Sequence, residues 1–320
     1  MLRVVFMGTP EFAVPSLVAI HSSFELVAVY TQPDRPVGRG LEVRISAVKA
    51  RALEMGVPII QPERLSQPGE FEKLQELKPD VIVVVAYGQI LKKNVLELPL
   101  LGCVNVHSSL LPRWRGAAPI QWALLSGDQV TGVTTMRLVQ ELDAGDILLQ
   151  DQTPISAEDT ASSLHDRLAE MGARLIGPTL AGLEAKTLQG QAQDSSQVTY
   201  ASKLNKEMEW LNPDRETAAQ LDRKVRALNP WPGTSLLLGE RLKVKQVKVR
   251  DDIHGTPGLV FEKAGMLLLG TSQGSLELKV LQWEGKKSVD AAGFLNGLHG
   301  RGQKLPLRVG TPEKSSMVES

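Results

Sequence analysis

The segment Asp80–Ala86, with the sequence DVIVVVA, constrains the fold of this chain more than any other feature. It is almost wholly apolar and β-branched, which is typical of a strand that is covered on both faces in the middle of a parallel sheet. Shorter apolar runs over 2–7, 25–31, 103–107 and 132–138 predict further strands, and helical stretches separate several of them. The alternation predicts an α/β fold with a Rossmann-like, doubly wound, mostly parallel sheet.

The pattern changes after a long helical stretch near Asp159–Ala185. The segment Gln189–Tyr200 is polar and aperiodic, which favours a linker, and a helix is predicted over Pro213–Leu228. Short strands separated by glycine-containing turns follow, and they predict a small β-barrel. These strands are expected at 235–238, 242–250, 258–262, 266–269 and 276–283. We therefore expect a catalytic domain over 1–189, a linker over 190–206 and a smaller domain over 207–320.

Charge is divided unevenly between the two halves. Lys plus Arg and Asp plus Glu each number 36, so the formal net charge is zero and a polybasic protein is excluded. Residues 206–320 nevertheless carry a net charge of +4, and residues 1–205 carry −4. The excess is greatest between Arg215 and Arg250, where it indicates either a solvated face or a surface that binds a polyanion.

Cysteine content and hydropathy limit the class of protein further. A lone cysteine, Cys103, excludes an internal disulfide and any site built on several cysteines. No apolar run is long enough to span a bilayer, and the first residues resemble neither a secretory signal nor a transit peptide. We therefore expect a cytoplasmic protein without a membrane partner.

Two polar residues stand at the carboxyl end of a predicted strand. Asn105 and His107 alternate along it, so their side chains share a face. Ligands of open parallel sheets bind at this end, where an amide donor and an imidazole acid/base could act on one reacting oxygen. The alternative is a hydrogen-bonded structural pair. Cys103 shares the face, but about 13 Å of backbone separates it from His107, so a buried, unreactive thiol is favoured.

Other polar positions leave alternatives open. Asp143 and Asp146 follow a strand, where a carboxylate could orient His107 or accept a proton through water, although Asp beside Gly is also ordinary turn chemistry. Gly8-Thr9-Pro10 follows the first strand but lacks a glycine-rich fingerprint. A dinucleotide-binding role is therefore disfavoured.

The chain resembles the folate-dependent formyltransferases, because it contains several of their short motifs in the same order. The main one is HSSLLPRWRGAAPI at 107–120, with Asn105 just before it and LDAGD at 142–146 after it. Three more narrow the resemblance, which covers nearly the whole chain: GTPEFA at 8–13, TQPDRPVGRG at 31–40 and NPWP at 229–232.

The resemblance implies transfer of a formyl group from 10-formyltetrahydrofolate to the α-amino group of initiator methionyl-tRNA. We expect no metal, because the formyl carbon is already activated and the site residues supply the donors. The missing presequence favours a bacterial type of cytoplasmic enzyme or the mature form of an organellar one, and we expect a monomer. The resemblance assigns catalysis to Asn105, His107 and Asp143. It places the folate near Ser109, Leu110, Leu111 and Pro112, with Gln89, Ile90 and Leu91 lining the same cleft. It also implies that the C-terminal barrel is OB-like and helps to hold the tRNA.

The expected tRNA contacts combine the resemblance with the charge division. Arg39 stands where the family has a tRNA-contacting arginine, although Glu42 replaces a nearby cation. We expect a phosphate-binding face in the second half, formed by Arg223, Arg226, Lys243 and Lys245. One alternative is a formyltransferase or 10-formyltetrahydrofolate hydrolase that acts on a small amine or on water. Another is an RNA-binding protein whose first half is not catalytic.

Overall fold

A computed structural model describes residues 1–37, 42–300 and 302–311. The chain divides into two compact units. The first comprises Met1–Ile120, Gln129–Ile155 and Ser163–Ser202, and the second comprises Gln121–Asp128, Ser156–Ser162 and the chain from Lys203 onward.

The first unit is built on a seven-stranded sheet in the order β10-β9-β7-β6-β1-β2-β5. Its strands and those of two small pairs are, in chain order, β1 (Arg3–Gly8), β2 (Glu25–Tyr30), β3 (Arg35–Val37), β4 (Glu42–Arg44), β5 (Ile59–Ile60), β6 (Val81–Val85), β7 (Cys103–His107), β8 (Arg115–Gly116), β9 (Val130–Arg137), β10 (Ile147–Pro154) and β11 (Tyr200–Ala201). Neighbours from β5 to β7 are parallel, whereas β9 and β10 are antiparallel. The predicted mostly parallel sheet is confirmed, and every residue of β6 is buried.

Helices connect these strands. They are α1 (Val14–Ser23), α2 (Ala47–Glu54), α3 (Glu70–Glu76), α4 (Lys93–Leu96), α5 (Pro119–Ser126) and α6 (Ala161–Glu184). The Ser46 hydroxyl caps α2 by accepting a hydrogen bond from the Lys49 backbone N–H at 3.0 Å. From β1 the chain runs outward through β2 and β5 and returns to the other side of β1 with β6, so the strand order reverses there. Ligands of such sheets bind at the carboxyl ends of the strands that flank this reversal.

The second unit contains an antiparallel sheet, with strand order β12-β13-β16-β15-β14-β18 and with β17 paired to β16. Its elements are α7 (Ala218–Leu228), β12 (Ser235–Leu238), β13 (Glu240–Arg250), β14 (Leu259–Lys263), β15 (Met266–Gly270), β16 (Ser275–Trp283), β17 (Val289–Asp290), α8 (Ala291–Gly300) and β18 (Leu307–Arg308). A C-terminal β domain is thus confirmed. An isolated bridge, from the Gly310 N–H to the Leu237 carbonyl at 2.8 Å, joins its first strand to the residues after its last one.

Helix α7 begins later than the sequence indicated. Thr217 caps it in a reciprocal arrangement with Gln220, in which each side chain accepts a hydrogen bond from the other residue's backbone N–H. The predicted start at Pro213 is therefore wrong. Leu221 and Val225, expected on one side of the helix, are both buried in the core of the sheet.

The segment expected to be a linker makes regular contacts within the first unit. Gln191 pairs with Ile147, and β11 pairs with β8 in parallel. These are backbone hydrogen bonds, which a polar sequence makes as readily as an apolar one, so the absence of periodicity gave no sign of them.

Candidate active site

Strand β7 carries the first two site residues into the middle of the sheet. It lies between β6 and β9, where Asn105 is in register with Val84 and His107 with Thr134. Asn105 is half-buried and His107 is buried. Across the described ranges of the chain, the side-chain amide of Asn105 has no hydrogen-bond partner. The amide therefore remains available to a bound molecule.

Both ring nitrogens of His107 lie near oxygen acceptors. The Nε2 atom is 2.9 Å from the Trp114 carbonyl oxygen, which can only accept, so Nε2 carries the hydrogen and donates. The Nδ1 atom is 3.8 Å from Asp143 Oδ2, too far for a hydrogen bond but close enough for electrostatic attraction. The carboxylate can therefore balance a positive charge on the ring while Nδ1 remains open to another partner.

The loop after β9 holds Asp143 in this position. The Gly116 backbone N–H donates to Asp143 Oδ2 at 2.8 Å, and the Asp143 backbone is left-handed, with φ of 48°. A Cβ atom at Gly145 would lie 1.9 Å from the Arg137 carbonyl oxygen, so this close approach requires glycine. The neighbouring Asp146 is exposed. Of the two aspartates that the sequence offered, the structure brings Asp143 to His107.

The turn at Ser109–Pro112 is fixed by side chains from β9 and β10. The Thr134 hydroxyl donates to the Ser109 carbonyl at 2.7 Å and accepts from the Leu111 N–H at 3.1 Å. The Gln150 side chain donates to the Leu111 carbonyl at 2.9 Å. Leu111 itself is buried, so this turn presents its backbone in a set conformation more than it presents that side chain.

Residues 89–91, predicted to line the same cleft, have separate environments. The Gln89 side chain accepts from the Leu65 N–H at 2.7 Å and donates to the Pro62 carbonyl at 3.1 Å. Leu91 is buried in the core with Leu65, whereas Ile90 is 91% exposed. Of the three side chains, Ile90 is exposed, Gln89 is half-buried and Leu91 is buried.

A pocket of about 550 Å³ opens at the carboxyl ends of β1, β2 and β6, beside the reversal in strand order. Its lining includes Thr9, Gln32 and Arg44. The Thr9 hydroxyl and the Gln32 amide both donate to the Tyr87 carbonyl, at 3.0 and 3.2 Å, and so tie the three strand ends together. Arg39, expected to contact tRNA, lies outside the described residues.

The predicted basic residues of the second unit differ in how far their charges are paired. Arg226 pairs with Asp222 at 2.8 Å and donates to the Asp159 carbonyl at 2.7 Å, and Arg223 donates to the Leu125 carbonyl at 3.4 Å. The charge of Arg226 is therefore already balanced by its neighbour.

Strand β13 contains the other two predicted basic residues, Lys243 and Lys245, and a further cation, Arg241. Arg241, Lys243 and Lys245 alternate with buried Leu242 and Val244, as expected of a half-buried strand. All three cations line a pocket of about 440 Å³ in the second unit. Arg241 is paired with Glu209, and Lys245 donates to the Ser288 hydroxyl at 3.0 Å. Lys243 has no ion pair among the residues that the structure describes.

Cys103 is buried in the core of the first unit, and burial raises the pKa of its thiol to about 12. Such a thiol stays protonated and unreactive near neutral pH. Within the described residues, no group of three or more His, Cys, Asp or Glu side chains is placed to hold a metal ion. No helix in those residues combines the length and the apolar character that crossing a bilayer requires.

The sequence matches two family descriptions. "Formyl transferase" covers residues 2–180, and "Formyl transferase, C-terminal domain" covers residues 203–299. The chain belongs to the formyl transferase family.

Two relatives that are almost half identical to this chain have a more specific name than the family. A methionyl-tRNA formyltransferase from Pseudomonas fluorescens (strain Pf0-1) is 49% identical over 92% of this chain and 93% of its own. One from Methylococcus capsulatus (strain ATCC 33009 / NCIMB 11132 / Bath) is 48% identical over 95% of this chain and 99% of its own.

A solved structure shares the fold at much lower identity. It is the N-formyltransferase from Helicobacter canadensis in complex with folinic acid and dTDP-3-aminofucose. It superposes with a TM-score of 0.68 over 87% of this chain and 99% of its own, at 19% identity.

Sequence reasoning missed the residues that hold the site in place. Thr134 and Gln150 fix the Ser109–Pro112 turn, while Arg115 and Gln193 contact each other beside the Asp143 loop. Arg115 lies inside the long motif and was therefore within reach of the sequence. Gln193 lies in the polar segment, where no local pattern distinguishes it from its neighbours.

Proposed function

We propose that this chain transfers the formyl group of 10-formyltetrahydrofolate to the α-amino group of initiator methionyl-tRNA, giving N-formylmethionyl-tRNA. The observation that carries the proposal is the grouping of Asn105, His107 and Asp143 at the carboxyl end of β7. It occurs in a chain 49% identical to a methionyl-tRNA formyltransferase. The folate serves as formyl donor, and the residues of the site supply the rest of the chemistry.

In this mechanism the neutral amine attacks the formyl carbon, and negative charge develops on the formyl oxygen. The Asn105 amide and the protonated His107 ring donate hydrogen bonds to that oxygen. A donor of this kind is worth roughly 3 kcal/mol in the transition state. Half-burial of Asn105 and the absence of a competing partner in the described residues support this role.

Proton transfers complete the exchange. A new C–N bond to the methionyl amine forms, and the C–N bond to the folate breaks. The attacking amine loses a proton, which Asp143 receives through water, and the departing folate nitrogen takes one from His107. The distance of 3.8 Å between Asp143 Oδ2 and His107 Nδ1 lets the carboxylate stabilise the charged ring without removing its proton.

The donor is held by the Ser109–Pro112 turn, with residues 89–91 lining the same cleft. Support comes from the rigid presentation of the turn's backbone by Thr134 and Gln150. Of residues 89–91, Ile90 is the one whose exposed side chain can contact a ligand directly.

The tRNA is proposed to contact both units. The acceptor end enters near the pocket at the ends of β1, β2 and β6, and Arg39 contributes to tRNA binding close to that end. Phosphates further along the acceptor arm bind the second unit, at Lys243 and Lys245 and, with a smaller contribution, at Arg223 and Arg226. The pocket lined by Lys243 and Lys245 supports this assignment, because uncompensated cations attract a polyanion.

Four further features belong to the proposal. The second unit is an OB-like barrel, for which the bridge from Gly310 to Leu237 offers support. The domains are 1–189 and 207–320, joined by 190–206. The protein acts as a monomer without a membrane partner. It works in the bacterial cytoplasm, as suits an enzyme whose relatives are bacterial.

A transfer assay tests the proposal. Purified protein is incubated with 10-formyltetrahydrofolate and methionyl-tRNA, and the aminoacyl group is then released and analysed by mass spectrometry. We expect a formyl group on the methionine α-nitrogen. Unmodified methionine, with tetrahydrofolate released all the same, would instead identify a hydrolase.

A further inference from the structure

Gln193 is joined to the backbone of the loop that carries Asp143. Its Nε2 atom donates to the Asp143 carbonyl at 2.8 Å and to the Gly145 carbonyl at 2.8 Å. Both amide hydrogens of Gln193 are thus donated to one turn, at the two carbonyl groups on either side of Ala144. A side chain from a segment about 50 residues away therefore fixes the backbone direction of Asp143.

The other end of the Gln193 amide is also held. Its Oε1 atom accepts from Arg115 Nε at 3.0 Å, and the Arg115 side chain is only 7% exposed. Arg115 is in turn fixed because its strand, β8, pairs with β11. The amide cannot flip without placing its NH₂ group against a guanidinium and its oxygen against two carbonyls. The orientation of Gln193 is therefore determined from both sides.

The backbone of this loop has an uncommon conformation. Asp143 has φ of 48°, in the left-handed region that few non-glycine residues adopt and that aspartate adopts more readily than most. Its carboxylate meets the Gly116 N–H, and Gly116 immediately follows Arg115. One connected set of hydrogen bonds thus sets both the backbone and the side chain of Asp143, at 3.8 Å from His107.

We propose that Gln193 is a positioning residue for the transfer reaction, which acts by holding the Asp143 carboxylate at its distance from His107. The inference rests on the proposed role of Asp143. Gln193 contacts the loop rather than the reacting atoms, so its loss should lower kcat and leave the KM values for folate and tRNA nearly unchanged.

The test is a double-mutant cycle between Gln193→Met and Asp143→Asn. Methionine has nearly the shape of glutamine but cannot donate a hydrogen bond, so Gln193→Met should lower kcat by roughly tenfold to a hundredfold, the scale of a small misplacement of a catalytic group. In the Asp143→Asn background the same substitution should cause no further loss, because the carboxylate it positions is gone. Gln193→Glu should be at least as damaging, since its carboxylate would face the two carbonyl oxygens.

Gln197→Met is the matched control. Gln197 is exposed, lies in the same segment and donates to Asp194 at 2.9 Å, away from the loop, so this variant should keep wild-type kcat. Thermal unfolding of each variant separates loss of positioning from loss of structure. Wild-type kcat in Gln193→Met, or an equal loss of kcat from it in both backgrounds, would overturn the inference. Full activity in Asp143→Asn alone would instead overturn the proposed role of Asp143.

Discussion

At the scale of single residues, the site depends on where one carboxylate and one imidazole are held. His107 donates to the Trp114 carbonyl, and Asp143 accepts from the Gly116 N–H, so each has a fixed protein partner. Neither bond can be inferred from the spacing of the residues. The shared face of Asn105 and His107 can be inferred, because it follows from the alternation of any strand.

Replacing any one of the three proposed catalytic residues should lower the activity and leave the fold intact. Asn105→Ala, His107→Ala and Asp143→Ala should each lower kcat by at least about a hundredfold, the usual scale for a lost oxyanion donor or acid/base group. Steady-state transfer kinetics measure the loss, and circular dichroism checks that the variants fold. His107→Asn retains a hydrogen-bond donor but cannot carry a proton, so near-normal turnover in that variant would contradict the assignment.

At the scale of elements, the strands that bury one or both faces were predicted more accurately than the two-residue strands. The predicted strands of the sheet centre and of the second unit are present, because burial on one or both faces leaves a clear pattern. The two-residue strands β8 and β11 could not be predicted, because their positions depend on backbone pairing, which involves few residues and no periodicity. The start of α7 was within reach of the sequence, because Thr217 and Gln220 have the spacing of a capping box.

The turn proposed to hold the folate can be tested through β10. Gln150→Met removes the side-chain hydrogen bonds to the Leu111 carbonyl and to Thr134 without changing a buried volume. We expect the KM for 10-formyltetrahydrofolate to rise roughly tenfold, as for two lost neutral hydrogen bonds of about 0.7 kcal/mol each, with the KM for tRNA unchanged. Gln152→Met, at an exposed position two residues along the same strand, is the control. Equal changes in both KM values would argue that the turn is not the donor site.

The cations of β13 can be tested by salt dependence. Each phosphate contact releases counterions, so Lys243→Ala with Lys245→Ala should weaken tRNA binding and lower the slope of log affinity against log salt by about one per contact. Folate binding should not change. Lys248→Ala removes one positive charge, as Lys243→Ala does alone, from an exposed position further along the strand and should have a smaller effect than that single variant. Wild-type tRNA affinity and slope in the double variant would show that these lysines form only a solvated face.

At the scale of the whole molecule, the first unit contains buried acids that resist ionisation. Tyr30 and Tyr87 are fully buried, and in the described part of the chain their hydroxyls have no hydrogen-bond partner. Burial raises the pKa of both phenols above the ordinary value of 10.0, and it raises the pKa of the nearby Cys103 thiol from 9.0 to about 12. All three belong to one core cluster.

These groups predict a loss of stability in alkaline solution. The unfolded chain ionises at the ordinary pKa values, whereas the folded chain keeps the groups neutral. The contribution of these groups to the free energy of unfolding should therefore be constant below about pH 8 and should fall above it. Urea unfolding at a series of pH values measures the decline. Tyr30→Phe should flatten it, because this variant has one fewer acid to ionise. Tyr200→Phe, at a residue 62% exposed, should leave it unchanged, and identical curves for Tyr30→Phe and the wild type would contradict the account.

The bounds of the two compact units could not be predicted from charge and strand patterning. Short segments of the first half, Gln121–Asp128 and Ser156–Ser162, belong to the second unit. Arg223 and Arg226 bond to backbone carbonyls in these segments. The sequence shows that both arginines are charged. It does not predict these hydrogen bonds, because they join residues that are far apart in the chain.

A comparison of acceptors shows which molecule receives the formyl group. Release of tetrahydrofolate from 10-formyltetrahydrofolate is followed with charged initiator tRNA, with a methionine ester and with water alone. We expect a kcat/KM for the charged tRNA at least about a thousandfold above that for the ester, because binding energy from the remote tRNA contributes to the transition state, and we expect negligible release in water. Comparable rates with all three would contradict this expectation and would favour an enzyme for a small amine or a hydrolase.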